Sequence, residues 1–85
     1  MQITFKLYAT LTDYLPVDVR RRSNQLTLEV KPQATVAEVI APFGLPPKQV
    51  HLVLINGHFV PPAERASRTL NEGDVLAVWP PIAGG

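Results

Sequence analysis

His51-Leu52-Val53-Leu54-Ile55-Asn56-Gly57-His58-Phe59-Val60 is the stretch that decides the fold. Residues 51–55 form a nearly continuous apolar run of strand length. Asn-Gly is the favoured pair for a type I′ turn, whose two central residues both need positive φ. His58 to Val60 then returns as a short antiparallel partner, so this part of the chain is a hairpin.

Downstream, Pro61-Pro62 to Arg68 has no period and reads as irregular. Asn71-Glu72-Gly73-Asp74 is a turn, because Asn, Gly and Asp each favour tight turns for local backbone reasons. Val75 to Trp79 is a final strand. Upstream, Thr35 is placed to cap the free amides of a first helical turn, with Glu38 reaching back to the cap three residues later. Val36, Val39, Ile40 and Phe43 share one face of that helix. Pro42 has no amide proton and would clash with the carbonyl of residue 38, a defect of about 3 kcal/mol in a helix interior. The regular helix therefore ends near Ala41, and Gly44 with Pro46-Pro47 reinforces the stop.

At the amino-terminal end, Ile3, Phe5 and Leu7 alternate with Thr4, Lys6 and Tyr8, the period-two pattern of a strand with one buried face over Gln2 to Tyr8. Leu26, Leu28 and Val30 repeat the pattern until Pro32 ends it. Between them, Leu11, Tyr14 and Leu15 lead to Pro16, and 18–24 is polar with Arg20, Arg21 and Arg22. This reads as a long, exposed connection within a large-looped hairpin.

The order is two strands, a helix, and three strands. One helix covers only one face of a sheet, so the economical packing is α+β: a mixed, twisted sheet of about five strands with this helix across one side. That is a β-grasp, or ubiquitin-like, architecture, in which the last strand lies inside the sheet parallel to the first. We expect a β-grasp domain over 1–79 and a flexible diglycine tail over 80–85.

Composition narrows the function. The chain has 85 residues, 46% of them apolar, which suits one modest core. It has no cysteine, hence neither a thiol nucleophile nor the thiolates of a structural zinc site. A formal charge of +1 gives no basis for steering toward nucleic acid or an anionic membrane. No apolar run approaches the ~20 residues that cross a bilayer, and the first residues lack a secretory pattern. The expectation is a soluble, cytoplasmic protein with no permanently bound cofactor.

Individual side chains offer little catalysis. Arg20, Arg21 and Arg22 have the chemistry to grip a phosphate or an acidic partner, although short charged loops are usually solvated. His51 and His58 are separated along the hairpin and supply only half of a tetrahedral metal site. Glu72 and Asp74 fit turn chemistry better than an acid/base pair. Phe5 reads as core. Phe59 and Trp79 have two possible placements: on the sheet face away from the helix they would form an apolar docking patch, and facing the helix they would be core.

The ending Pro80-Pro81-Ile82-Ala83-Gly84-Gly85 carries the functional clue. A stiff double proline precedes small residues, and glycine passes through channels too narrow for any side chain. Ala83 and Gly84 suit threading into an enzyme that works on Gly85.

These residues resemble a family. The Asn56-Gly57 hairpin, the Leu70-x-Glu72-Gly73-Asp74 turn, the strand 75–79 and the Pro-Pro-x-x-Gly-Gly ending are similar to those of the MoaD and ThiS sulfur carriers, closest to the MoaD branch. The resemblance implies a non-enzymatic carrier whose Gly85 is adenylated by a ubiquitin-activating-like adenylyltransferase using ATP. A persulfide donor enzyme would convert it to a thiocarboxylate, and a larger acceptor subunit would take the sulfur in molybdenum or tungsten cofactor (molybdopterin) synthesis or a related thiolation pathway. Residues 5–16, together with 44–50 and Leu52-Val53-Leu54-Ile55-Asn56-Gly57, also resemble ubiquitin-like segments fused to PIN-type nuclease-like domains. That likeness implies the alternative of a non-covalent ubiquitin-like interaction module.

Overall fold

The computed structural model describes residues 1–81. Strands β1 (Gln2–Leu7), β2 (Gln25–Glu29), β3 (Leu52–Ile55), β4 (His58–Phe59) and β5 (Val75–Trp79) form one sheet in the order β2-β1-β5-β3-β4. Strand β5 lies parallel to β1, with Phe5 opposite Leu76 and Leu7 opposite Val78. It lies antiparallel to β3, with Val53 opposite Val78. The expected β-grasp is thus present, and its last strand occupies the middle of the sheet.

Helix α2 (Val36–Ile40) begins with the anticipated capping box. The Thr35 hydroxyl accepts from the Glu38 amide at 3.2 Å, and a Glu38 carboxylate oxygen accepts from the Thr35 amide at 3.0 Å. Pro42 ends the regular helix where expected: one 3-10 turn, Ala41–Phe43, follows, and Gly44 closes it at φ 69°. Val36 and Val39 face the sheet and pack with Ile3, Phe5, Leu7, Val53, Ile55, Leu76 and Val78 in a single core. Phe43 reaches Phe5 with ring centroids 4.6 Å apart.

The hairpin turn has the expected backbone, with Asn56 at φ 51° and Gly57 at φ 83°. Asn56 does more than turn. Its side-chain carbonyl accepts from the Val75 amide at 2.9 Å and its amide donates to Asp74 at 2.9 Å, tying the hairpin to the start of β5.

The connection between β1 and β2 differs from the long, exposed one expected. A 3-10 segment spans Ala9–Tyr14, and a short helix, α1, spans Val17–Arg20. Leu11 and Leu15 are buried in the core, so this connection closes one end of the sheet instead of lying free. The backbone groups of the polar stretch are satisfied locally: the Arg20 guanidinium donates to the Asp13 carbonyl at 2.6 Å, and Arg22 donates to the Asp18 carbonyl at 3.2 Å.

Candidate functional site

Side chains alternate across a strand, so the sheet register decides which residues share the face opposite the helix. Leu54 pairs with both Ala77 and Phe59, and Ala77 pairs with Lys6. These form one transverse row. The neighbouring row, Ile55 with Leu76 and Phe5, is buried beneath the helix. Phe59 is therefore on the open face, and it is 54% exposed. Trp79 pairs with Leu52 and lies two residues beyond Ala77, which puts it on the same face.

The two placements left open by the sequence resolve the same way: Phe59 and Trp79 both face away from the helix, while Phe5 is fully buried. Together with Tyr8, Leu52 and Leu54 they form an aromatic and aliphatic strip across three strands and the end of β1. In the sequence Tyr8 stands only as the last of the alternating residues Thr4, Lys6 and Tyr8. It continues the alternation of β1 on the polar side, and the parallel register sets it beside Trp79. The two rings stack with centroids 3.9 Å apart and planes 7° from parallel.

The strip adjoins the end of β5. The Tyr8 amide donates to the Val78 carbonyl at 3.1 Å, and the His51 amide donates to the Trp79 carbonyl at 3.0 Å. The chain is hydrogen-bonded on both sides up to Trp79; Pro80 is buried and Pro81 is exposed. Ala83, Gly84 and Gly85 lie outside the described residues.

Other candidates resolve into local ties. Glu72 accepts from the Gln2 amide at 3.1 Å, and Asp74 accepts from the Asn71 amide at 2.8 Å, both roles belonging to the turn before β5. His58 pairs with Ile55 at one end of the hairpin, whereas His51 precedes the other end of β3. Among the described residues no three His, Cys, Asp or Glu side chains gather in a way that would hold a metal ion. No helix there is long and apolar enough to cross a membrane.

One polar residue carries more structure than its sequence position suggested. Arg65, in the irregular stretch, donates to the carbonyls of Val60 at 3.2 Å, Val50 at 3.1 Å and His51 at 3.0 Å. Partial burial lowers its pKa from the ordinary arginine value. The guanidinium fork pins the loop after β4 against the start of β3, which holds the Phe59 end of the strip in place.

This geometry defines a ubiquitin-like β-grasp domain with one helix-covered face and one open, partly aromatic face. The family model described as Mut7-C ubiquitin matches residues 1–83, and the chain belongs to that family. Comparison with curated protein sequences found no match. Among solved structures, the chain is similar to SAMP1 from Haloferax volcanii, at 23% identity and TM-score 0.70, over 100% of both chains. It is also similar to the HVO 2177 protein of the same organism, at 24% identity and TM-score 0.74, over 100% of this chain and 87% of the other. A third is in a protein-protein complex of subunits 1 and 2 of the molybdopterin-converting factor from Helicobacter pylori, matched at 16% identity and TM-score 0.62 over 100% of both chains. At these identities the likeness is one of fold. The expected resemblance to MoaD-type carriers holds at that level, and the family model adds a ubiquitin description that spans nearly the whole chain.

Proposed function

We propose that this protein is a ubiquitin-like carrier: it docks on larger enzymes through its open sheet face while Gly85 is activated and loaded with sulfur. The observation that carries the reading is the continuity of the aromatic strip with the end of the central strand. A partner that covers Trp79 and Phe59 is thereby brought to the end of β5 that leads into Pro80 and Pro81. The similar fold found in the complex of subunits 1 and 2 of the molybdopterin-converting factor from Helicobacter pylori supports a larger synthase subunit as acceptor.

The chemistry requires a partner at each stage. A carboxylate is a poor electrophile, and adenylation by ATP converts it to a mixed anhydride with AMP as leaving group. The terminal sulfur of a persulfide attacks the carbonyl carbon, the bond to AMP breaks, and a second thiol reduces the resulting acyl disulfide to the thiocarboxylate. No side chain of the carrier takes part, in keeping with a chain that has no cysteine. The pathway proposed is molybdopterin synthesis or a related thiolation.

Membership of the Mut7-C ubiquitin family also accommodates a second reading, a non-covalent ubiquitin-like interaction module that uses the same open face without chemistry at Gly85. The two separate at the wild-type chain, which an adenylyltransferase charges under the first reading and leaves uncharged under the second. Adding one residue after Gly85 abolishes charging by an adenylyltransferase and leaves partner binding intact if the carrier reading is right. Charging of the extended chain at the normal rate would overturn it.

A further inference from the structure

Asn56 is the one asparagine of this chain followed by glycine; the other two, Asn24 and Asn71, precede Gln25 and Glu72. The pair has a chemical consequence beyond its turn. The backbone nitrogen after an asparagine can close an imide ring on the side-chain Cγ, and glycine, with no Cβ, obstructs that closure least. Asn56 and Gly57 are both exposed, and a Cβ added at Gly57 would meet nothing within 4 Å. Water and base therefore reach the Gly57 nitrogen, and the ring has room to form.

The same asparagine is tied to the start of β5 by three bonds. Its backbone amide donates to the Val75 carbonyl, its side-chain carbonyl accepts from the Val75 amide, and its side-chain amide donates to an Asp74 carboxylate oxygen, each at 2.9 Å. The other Asp74 oxygen accepts from the Asn71 amide at 2.8 Å. Position 56 must therefore accept toward Val75 and donate toward Asp74. An amide does both, whereas a carboxylate only accepts.

We propose that Asn56 is a site of spontaneous, one-way modification by deamidation, guarded in the folded protein by its bonds to Asp74 and Val75, and that its conversion unties the hairpin from β5. The Gly57 nitrogen gives up its proton to base and forms a bond to Cγ of Asn56; the Cγ–Nδ2 bond breaks and ammonia leaves. Water then opens the imide at either carbonyl, giving aspartate or, with the main chain routed through the side chain, isoaspartate. One water is consumed and one ammonia released, with no oxidant, reductant or enzyme. Ring closure expels the nitrogen that Asp74 holds, so it proceeds only as that bond gives way.

In the aspartate product a carboxylate stands where the amide met Asp74, and a hydrogen bond becomes a contact of like charges. Isoaspartate adds a backbone carbon to a two-residue turn whose ends, Ile55 and His58, are paired. Phe59 follows in the same hairpin, so the aromatic strip loses an anchored edge. That last consequence rests on the docking reading above, whereas the modification itself does not.

The test incubates the full chain at fixed temperature and pH, folded and in urea, and follows conversion by peptide mapping that separates aspartate from isoaspartate. Product is expected at Asn56 ahead of Asn24 and Asn71, and faster in urea than in the folded chain. Folded Asp74→Ala should convert at least about fivefold faster than folded wild type, the factor that one lost hydrogen bond carries. Asn56→Asp should speed hydrogen exchange of the Val75 amide by roughly tenfold through local opening. Adding Asp74→Asn should restore protection, because the exchanged pair keeps one donor facing one acceptor and still accepts from the Asn71 amide. Faster conversion at Asn24 or Asn71 would overturn the proposal, as would equal rates in the folded and urea-unfolded chain or in folded wild type and Asp74→Ala. Unchanged Val75 exchange in Asn56→Asp, or no rescue by the second substitution, would overturn the untying, and these readouts decide it even if Asp74→Ala does not fold.

Discussion

Tyr8 and Trp79 stack face to face across the parallel pair of β1 and β5, with centroids 3.9 Å apart and planes 7° from parallel. The stack lies at the end of the central strand, where the backbone is bonded to Tyr8 on one side and His51 on the other. Folding and function meet there, because the ring pair both closes the open face and forms part of the strip proposed to receive partners.

Removing either ring should cost stability through lost stacking. Aromatic pairs contribute about 1 kcal/mol beyond area burial, so a double-mutant cycle of Tyr8→Ala and Trp79→Ala measured by urea unfolding should give a coupling of about that size. A coupling near zero would show that the rings only happen to be close.

Phe59→Asp should leave stability within about 0.5 kcal/mol, because the ring is 54% exposed and its loss opens no cavity. Binding to an acceptor subunit or adenylyltransferase should fall at least tenfold in a pull-down or titration. Retained affinity in a folded variant would remove Phe59 from the docking face.

The fold was legible in the sequence where local chemistry and burial agree. Thr35 and Glu38 announced the cap, Pro42 the stop, and Asn56-Gly57 the turn, since each acts through its own backbone. The Ala9–Tyr14 and Val17–Arg20 segments were not legible: Leu11, Tyr14 and Leu15 stand at helical spacing but Pro16 cuts the run after one turn, and what orders the connection is the burial of Leu11 and Leu15 in a core made by distant strands. The faces of Phe59 and Trp79 depended on pairing register, which no local signal carries. Arg65 was missed for a related reason, as its partners Val50, His51 and Val60 converge only after the hairpin has formed.

Arg65→Lys should destabilise the domain by about 2 kcal/mol in chemical unfolding, since one ammonium cannot reproduce a planar fork shared among carbonyls of two segments. The effect should appear first as faster hydrogen exchange in β3 and β4. Wild-type stability in this variant would mean that water replaces the lost donors at no cost.

Glu38 is held well below the ordinary carboxylate range, at about 2, first by its hydrogen bond to Lys31 and then by bonds to the Thr35 backbone and hydroxyl. Its folded pKa lies below the value of 4.5 expected without those partners. The stabilisation it contributes is thus present above pH 4.5 and is lost as pH falls toward 2. A carbon-detected titration should follow Glu38 through that window, and Lys31→Gln should move its midpoint upward. An unchanged midpoint would remove Lys31 as the main cause.

The central claim concerns Gly85, and the most direct measurement is thiol-selective alkylation of the untagged protein after incubation with an adenylyltransferase, ATP and a persulfide donor, with the label mapped by fragmentation. Because the chain has no cysteine, a single alkylatable group is informative, and mapping separates sulfur at the carboxyl end from oxidation of Met1. The carrier account predicts one label, on Gly85, that depends on ATP. Repeated absence of label with an adenylyltransferase shown to charge another carrier would contradict it and leave the interaction-module reading.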